Sequence, residues 1–335
     1  MKIGNVSQTV LRRSILKQLH TQRPEAVICP SVEEMCAAIR TEAGKQTVFT
    51  NVSLFGDEKD LAVFAMAHVL NDLWTRGAEP IGITLSILLP PHAYESRLKA
   101  MVEYAEKTAE EQNIQILNAK AEVSPVISKS IVTVNGVGAV KEGHLLQSSL
   151  AKPGQDLVMT NWIGLEGMLR IVREKEEELS NRFVPVFIKQ IKEQQKYLMA
   201  GKELALARNY GVSAMHQITE GGILAALWNL TEASGTGLEA DLKRIAVKQE
   251  TIEVCEYFHL NPYQMTSAGS VLLAADDGEG LTAMLQREGV QASVIGKLTD
   301  GNDKVLYNEE EKRFLDRPAQ DELLKIYTVE GSGLI

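Results

Sequence analysis

Aromatic residues, cysteines, long apolar runs and an excess of positive charge are all scarce in this chain, and each shortage excludes something. Phe, Trp and Tyr make up only 5% of the 335 residues, so packing falls mainly to Ala, Leu, Ile and Val. Cys29, Cys36 and Cys255 are odd in number and contain no CxxC pair. That leaves neither a disulfide framework nor a zinc ribbon to read, and it fits a reducing cytoplasm. No apolar stretch reaches the roughly 18 residues of a membrane span, and the opening MKIGNVSQTVLRRS lacks an apolar core of signal-peptide length. A soluble, cytoplasmic protein with no membrane partner is therefore expected. Thirty-five basic against 44 acidic side chains give a formal charge of -9, a field that repels nucleic acid. The clusters Arg12-Arg13 and Lys141–His144 are too short to reverse it.

What is present is enough chain for two ordinary domains. Lys152-Pro153-Gly154 interrupts the pattern between two strand-like runs, which sets the expected domains at 1–150 and 151–335. Ile81–Leu89, Ile114–Leu117 and Ile131–Val140 read as strands. Tyr94–Gln112 reads as an amphipathic helix carrying Leu98, Met101, Val102, Ala105 and Ala109 on one face. In the second half, strands are expected at Asp156–Thr160, Ser270–Ala275 and Ala292–Leu298. Helices are expected from Gly164 and over Ile223–Ala233, with a long charged helical region over Val184–Tyr210. Alternating strands and helices argue for α/β or α+β layers. The charge runs Arg173–Glu178 and Glu309–Arg313 read as solvated surface.

Three segments could carry chemistry. LAVFAMAHVLNDLWTRGAEP, residues 61–80, begins as a helix apolar on every side, so His68, Asn71 and Asp72 must find partners, metal or ligand. One reading pairs Asp72 with Arg76 one turn later and gives Asn71 a backbone partner; the other makes them site residues. In AMHQITEGGILAALWNLTEASG, residues 214–235, Thr219 and Glu220 precede Gly221 and Gly222 at a helix start. That arrangement offers free amides to an anion, or a simple cap and tight turn. His216 is a general acid–base candidate or a structural histidine. LVMTNWIGLEGMLRIV, residues 157–172, is again strand, small-residue turn and helix, without a Walker lysine or a complete GxGxxG.

Taken in order, NDLWTRGAEP, KPGQDLVMTNWIGLEG, AMHQITEGG and NPYQMTSAGSVLLAA resemble the aminoimidazole ribonucleotide (AIR) synthase superfamily over roughly residues 1–326. That superfamily also holds HypE, thiamine-monophosphate kinase and selenophosphate synthetase, and the AIR synthase-related proteins are the most similar group. The resemblance implies a two-domain AIR synthase-like fold: an N-terminal sheet domain that dimerises, and a C-terminal α/β domain. It implies ATP and Mg2+ in a cleft at the dimer interface, with phosphoryl transfer to a small-molecule or protein-borne substrate. Carried over residue by residue, it implies nucleotide contacts at Asn71, Asp72, Lys120, Glu122, Thr219, Glu220, Gly221 and Gly222. It also implies magnesium at Asp72 and Glu122, and His216 and Asp72 as catalytic groups.

The chain departs from the family pattern at four places. Met35 stands where a metal-binding Asp is expected, Asn51 follows Thr50 in place of Asp, Asn118-Ala119-Lys120 replaces Gly-Gly and a polar residue, and Gln217 replaces the Asp after His216. The chain ends Glu-Gly-Ser-Gly-Leu-Ile without the terminal cysteine that a literal HypE role needs. Two readings follow: a homodimeric ATP-dependent phosphotransferase, or a non-catalytic paralogue that keeps the dimer and the cleft for binding or regulation.

Overall fold

The computed structural model describes residues 4–5, 8–28 and 38–327, and these form two compact units that part between Leu145 and Leu146. Cys29, Met35 and Cys36 lie outside the described residues, as does the chain end from residue 328. No helix among the described residues is long and apolar enough to cross a membrane.

In the first unit, strands β1 (Lys45–Gly56), β2 (Glu79–Leu89), β3 (Gln115–Val123) and β4 (Ser130–Lys141) make a sheet with helices α1 (Leu61–Thr75) and α2 (Glu95–Glu111). The sheet runs from the short strand Gly4–Asn5 through β3, β2 and β4 to β1. The β2–β3 pair is parallel, and β4 is antiparallel to both β1 and β2. Helix α1 is buried throughout its first three turns, as its all-round apolar sequence demands. It ends where Gly77 adopts a left-handed φ of 71°, its amide and that of Ala78 donating to the carbonyls of Trp74 and Leu73. Leu98, Met101, Val102, Ala105 and Ala109 are all fully buried on α2, in agreement with the spacing.

Because α1 and α2 lie on one face of the sheet, strand alternation sends every second residue to the other face. Side chains there fall in register as rows: Asn51, Asn135, Thr84 and Asn118; then Ser53, Thr133, Ser86 and Lys120; then Phe55, Ile131, Leu88 and Glu122. Hydrogen bonds join neighbours within two rows, Ser53 with Thr133 at 2.7 Å and Asn135 Nδ2 to Thr84 Oγ1 at 2.9 Å. At one end of this face Ala26 and Ile39 pack over Ile81, Leu117 and Val137.

The second unit is built on strands β5 (Asp156–Thr160), β6 (Ala214–Gln217), β7 (Gly237–Asp241), β8 (Val271–Ala275), β9 (Ala292–Thr299), β10 (Lys304–Asn308) and β11 (Glu311–Phe314). They pair in the order β11-β10-β7-β9-β5-β8-β6, antiparallel except for β7 with β10. Its longer helices are α3 (Leu165–Glu174), α4 (Pro185–Lys192), α5 (Gly201–Tyr210), α6 (Gly222–Ser234), α7 (Gln249–Tyr257) and α8 (Gly278–Arg287), with a single short turn of helix at Glu176–Ser180. Leu227 and Leu230 of α6 join Leu157, Leu272, Ile295 and Leu298 of the sheet in the main core. The expected long helix over Val184–Tyr210 is broken into α4, a 3-10 segment Glu193–Tyr197, and α5. The break buries Leu198 and Ala200 completely and brings the Tyr197 carbonyl against Gly269, where a Cβ would lie 2.1 Å from it. Glu309–Arg313 is a turn and exposed edge strand, in line with its reading as surface.

Gly136 of β4 sets how closely α1 approaches the sheet, since a Cβ there would lie 2.1 Å from Val69 Cγ1 and 3.3 Å from Leu73 Cδ1. Gly136→Ala overpacks this contact and is expected to lower stability by about 1–3 kcal/mol. Urea denaturation should show a lower midpoint at an unchanged slope.

Candidate functional site

In the first unit, Asn71 is fully buried and Asp72 half-buried near the end of α1. The Thr50 hydroxyl of β1 donates to Asp72 Oδ2 at 2.9 Å. Arg76, one turn on, is held below the usual arginine range by burial, and the Asp72 charge opposes that shift. Asp72 is thus tied to the helix-covered side of the β1 edge, and the expected Asp72–Arg76 interaction is present as charge on charge.

Lys120 and Glu122 are exposed on β3, alternating with buried Ala119, Ala121 and Val123, so they occupy the face opposite the helices. From β1 to β3 the sheet has two intervening strands, a separation of roughly 14 Å. Magnesium–oxygen bonds are about 2.1 Å long, so two carboxylates sharing an ion must lie within about 4 Å of each other. Within one chain, then, Asp72 and Glu122 are not brought together, and Lys120 adds a positive charge next to Glu122. Among the described residues, no group of three or more His, Cys, Asp or Glu side chains could hold a metal ion. Among the described residues of a single chain, Asp72 and Glu122 therefore do not share a magnesium site.

In the second unit, His216 lies on β6 with Nδ1 3.0 Å from the hydroxyl of buried Ser148. Gln217 is buried and, as the next residue of the strand, points to the opposite face. Thr219 is half-buried and Glu220 exposed. Gly221 and Gly222 follow with φ of 77° and 66° at the start of α6. Their amides are not open, contrary to the expectation of a free anion approach. The Gly222 amide donates to the Thr219 carbonyl at 2.9 Å, and the Gly221 amide donates to Asp321 Oδ2 at 2.8 Å.

Gly222 is required twice over. Besides its left-handed φ, a Cβ would lie 2.5 Å from the Tyr263 carbonyl oxygen and 2.7 Å from the Met265 amide nitrogen. The segment NPYQMTSAGS therefore packs directly on the TEGG turn, and it also closes on α3. Gly164 donates its amide to Ser267 Oγ at 2.6 Å, and a Cβ on Gly167 would meet Met265 Cγ at 2.3 Å. Glu166, fully buried between these glycines, accepts from Thr266 Oγ1 at 2.5 Å and from the Ala268 amide at 3.3 Å, with Arg170 3.7 Å away. Three separate motifs thus form one packed knot. Glu166 and Asp321 were missed in the sequence. The Glu166-to-Arg170 spacing looks like a solvated helix pair, and Asp321 sits in the polar stretch RPAQDE with no motif around it.

Family models agree with this architecture: residues 25–140 match the AIR synthase related protein N-terminal domain, and residues 152–308 match its C-terminal domain. The chain belongs to the AIR synthase-related family. A putative hydrogenase expression/formation protein of Methanocaldococcus jannaschii is 23% identical over 338 residues, covering 96% of this chain and 97% of that protein. Among solved structures, E. coli HypE, a hydrogenase maturation protein, superposes with a TM-score of 0.78 at 20% identity, covering 96% of this chain and 100% of that one. A hydrogenase maturation protein HypE in complex with ATP superposes at 0.74 with 15% identity, covering 94% of this chain and 96% of that one. At these identities the structures share the fold. In this AIR synthase-related chain, the altered positions Asn51 and Asn118 lie in one cross-strand row on the sheet face away from the helices.

The glycine requirements can be separated by experiment. Gly235, at the end of α6, has a φ of 66°, and a Cβ there would meet nothing within 4 Å. Gly235→Ala should cost about 1–2 kcal/mol from backbone conformation alone. Gly222→Ala adds a collision with backbone atoms and should cost at least about 1 kcal/mol more than Gly235→Ala. Equal unfolding free energies for the two variants would show that the loop yields.

Proposed function

We propose that the protein is a homodimeric member of the AIR synthase-related family that keeps the family cleft for binding or regulation without magnesium-dependent phosphoryl transfer. The observation that carries this reading is the separation of Asp72 from Glu122 onto opposite faces of one sheet. Lys120 adds positive charge beside Glu122, and amides at Asn51 and Gln217 stand where the resemblance calls for acids. With no cluster of carboxylates among the described residues, a hard divalent cation would lean mainly on substrate phosphates and water.

A second reading is favoured by what is retained. Asn71, Asp72 and the Thr219–Gly222 turn match the family pattern, and a HypE relative has been solved with ATP. On that reading the chain transfers a phosphoryl group from ATP to a small-molecule or protein-borne substrate, with Asp72 and His216 as the catalytic groups. Lys120, Glu122, Thr219 and Glu220 would then contact nucleotide. Phosphoryl transfer depends chiefly on positioning and charge neutralisation, so the missing acids bear on it directly.

Calorimetric titration with ATP, with and without magnesium, separates the two. The proposal predicts no magnesium-dependent ATP binding. Magnesium-dependent binding in the micromolar range would overturn it, and absence of binding at millimolar ATP would remove the phosphotransferase reading.

Dimerisation rests on the outer sheet face of the first unit. Phe49 is 75% exposed there and Phe55 37%, in line with Ile131 and Leu88. Two exposed phenylalanines on an otherwise largely polar sheet face call for a partner, and a second copy of the same sheet supplies a self-complementary one. Light scattering should give a dimer for the natural chain and a shift toward monomer for Phe49→Glu, with unchanged far-UV circular dichroism. A monomeric natural chain would remove the dimer from the proposal.

A further inference from the structure

The carboxylate on the Gly221 amide comes from a distant part of the chain, one hundred residues later in sequence. Its segment leaves β11 at Phe314, buries Leu315, and runs through exposed residues 316–320 to the 3-10 turn Glu322–Tyr327. Along this path the Ala319 carbonyl comes within 3.3 Å of the place where a Cβ on Gly221 would sit. Asp321 then bridges: Oδ2 accepts from Gly221 and Oδ1 accepts from the Leu323 amide at 2.9 Å. Glu322 adds a second tie, accepting from the Asn261 amide at 3.1 Å, and Leu323 is buried.

We propose that residues 318–327 form an internal strap that is latched over the start of α6 by the Asp321 carboxyl and loosens as pH rises across the weakly acidic range. The docked strap withholds the Gly221 amide from any other acceptor. This holds whichever reading of the function is correct, because it concerns contacts inside the second unit alone.

The latch carries a built-in conflict. Asp321 is buried, and the charges that act on it, Glu166 on α3 and Glu220 just before α6, have its own sign. Arg170 on α3 faces Glu166, Lys325 on the strap itself pairs with Glu322 at 2.7 Å, and the Cys255 thiol of α7 faces Glu322. Burial, followed by those two like charges, pushes the Asp321 carboxyl up to about 6 from its ordinary value of 3.8, against the two amide hydrogen bonds that lower it. The sign follows from linkage. A carboxyl whose docked pKa is above its free value favours docking when protonated, so docking is strongest on the acid side. It weakens as pH climbs through about 6. Between pH 5 and pH 7.5 these two pKa values correspond to about a tenfold loss in the docking equilibrium.

Hydrogen exchange on the full chain, corrected for the intrinsic pH dependence of exchange, reads this opening directly. Peptides covering 218–224 and 318–327 should lose about tenfold in protection between pH 5 and pH 7.5, while the core strand β8 stays level. Asp321→Asn retains an acceptor for Gly221 without the charge, and its protection should be flat across the same range. Glu220→Gln, an exposed change that leaves the latch intact, should raise protection at pH 7.5. A natural chain with no pH dependence in these peptides overturns the strap, and so does a parallel change in β8. An unaltered slope in Asp321→Asn, or an unaltered protection in Glu220→Gln, overturns the role assigned to these charges.

Discussion

A helix with no polar side must be covered on every side, and that constraint organises the first unit. Leu61–Leu70 places apolar residues all round the helix, and burying them takes a sheet beneath and a second helix alongside. Gly136 lets the helix settle close to the sheet. Once both helices are committed to one face, strand alternation directs Asn51, Ser53, Thr84, Lys120 and Glu122 to the other. The distribution of charge follows from this packing decision, which also parts Asp72 from Glu122.

The second unit depends on a comparable close approach. Gly222 allows the Tyr263–Met265 backbone to touch the start of α6, and Gly167 admits Met265 onto α3. Around these contacts the polar groups are met internally: Glu166 by Thr266 and Ala268, Gly164 by Ser267, and Gly221 by Asp321. A buried polar knot of this kind fixes one arrangement because each unmade bond costs about 1–3 kcal/mol. The glycine turn therefore serves first as a packing element, and its positive helix end is already answered by a carboxylate of the same chain.

Much of the fold was legible in residue patterns. The α2 face from Leu98 to Ala109, the strands Ile81–Leu89 and Asp156–Thr160, and the α6 helix all lie where the apolar pattern puts them, because each carries a strong apolar face or run. Periodicity did not reveal the split of Val184–Tyr210, where charge patterning continues through a turn made by burial of Leu198 and Ala200. Nor did it reveal β7, β10 and β11, whose short mixed sequences become strands by pairing with distant partners. Of the candidate site, the glycine turn and the Asn71-Asp72 pair were visible as motifs. Glu166 and Asp321 were not, since their partners lie about a hundred residues away in sequence.

The sequence alone determined what local chemistry dictates: the buried helix at Leu61–Thr75, the glycines that must turn at 221 and 222, the acidic charge of -9, and the family motifs in their order. Tertiary structure alone decided which side of a sheet each acid occupies and which carboxylate meets the Gly221 amide. The reason is physical. Propensity and spacing act within a few residues, whereas the meeting of charges is set by strand register and by the approach of segments far apart in the chain.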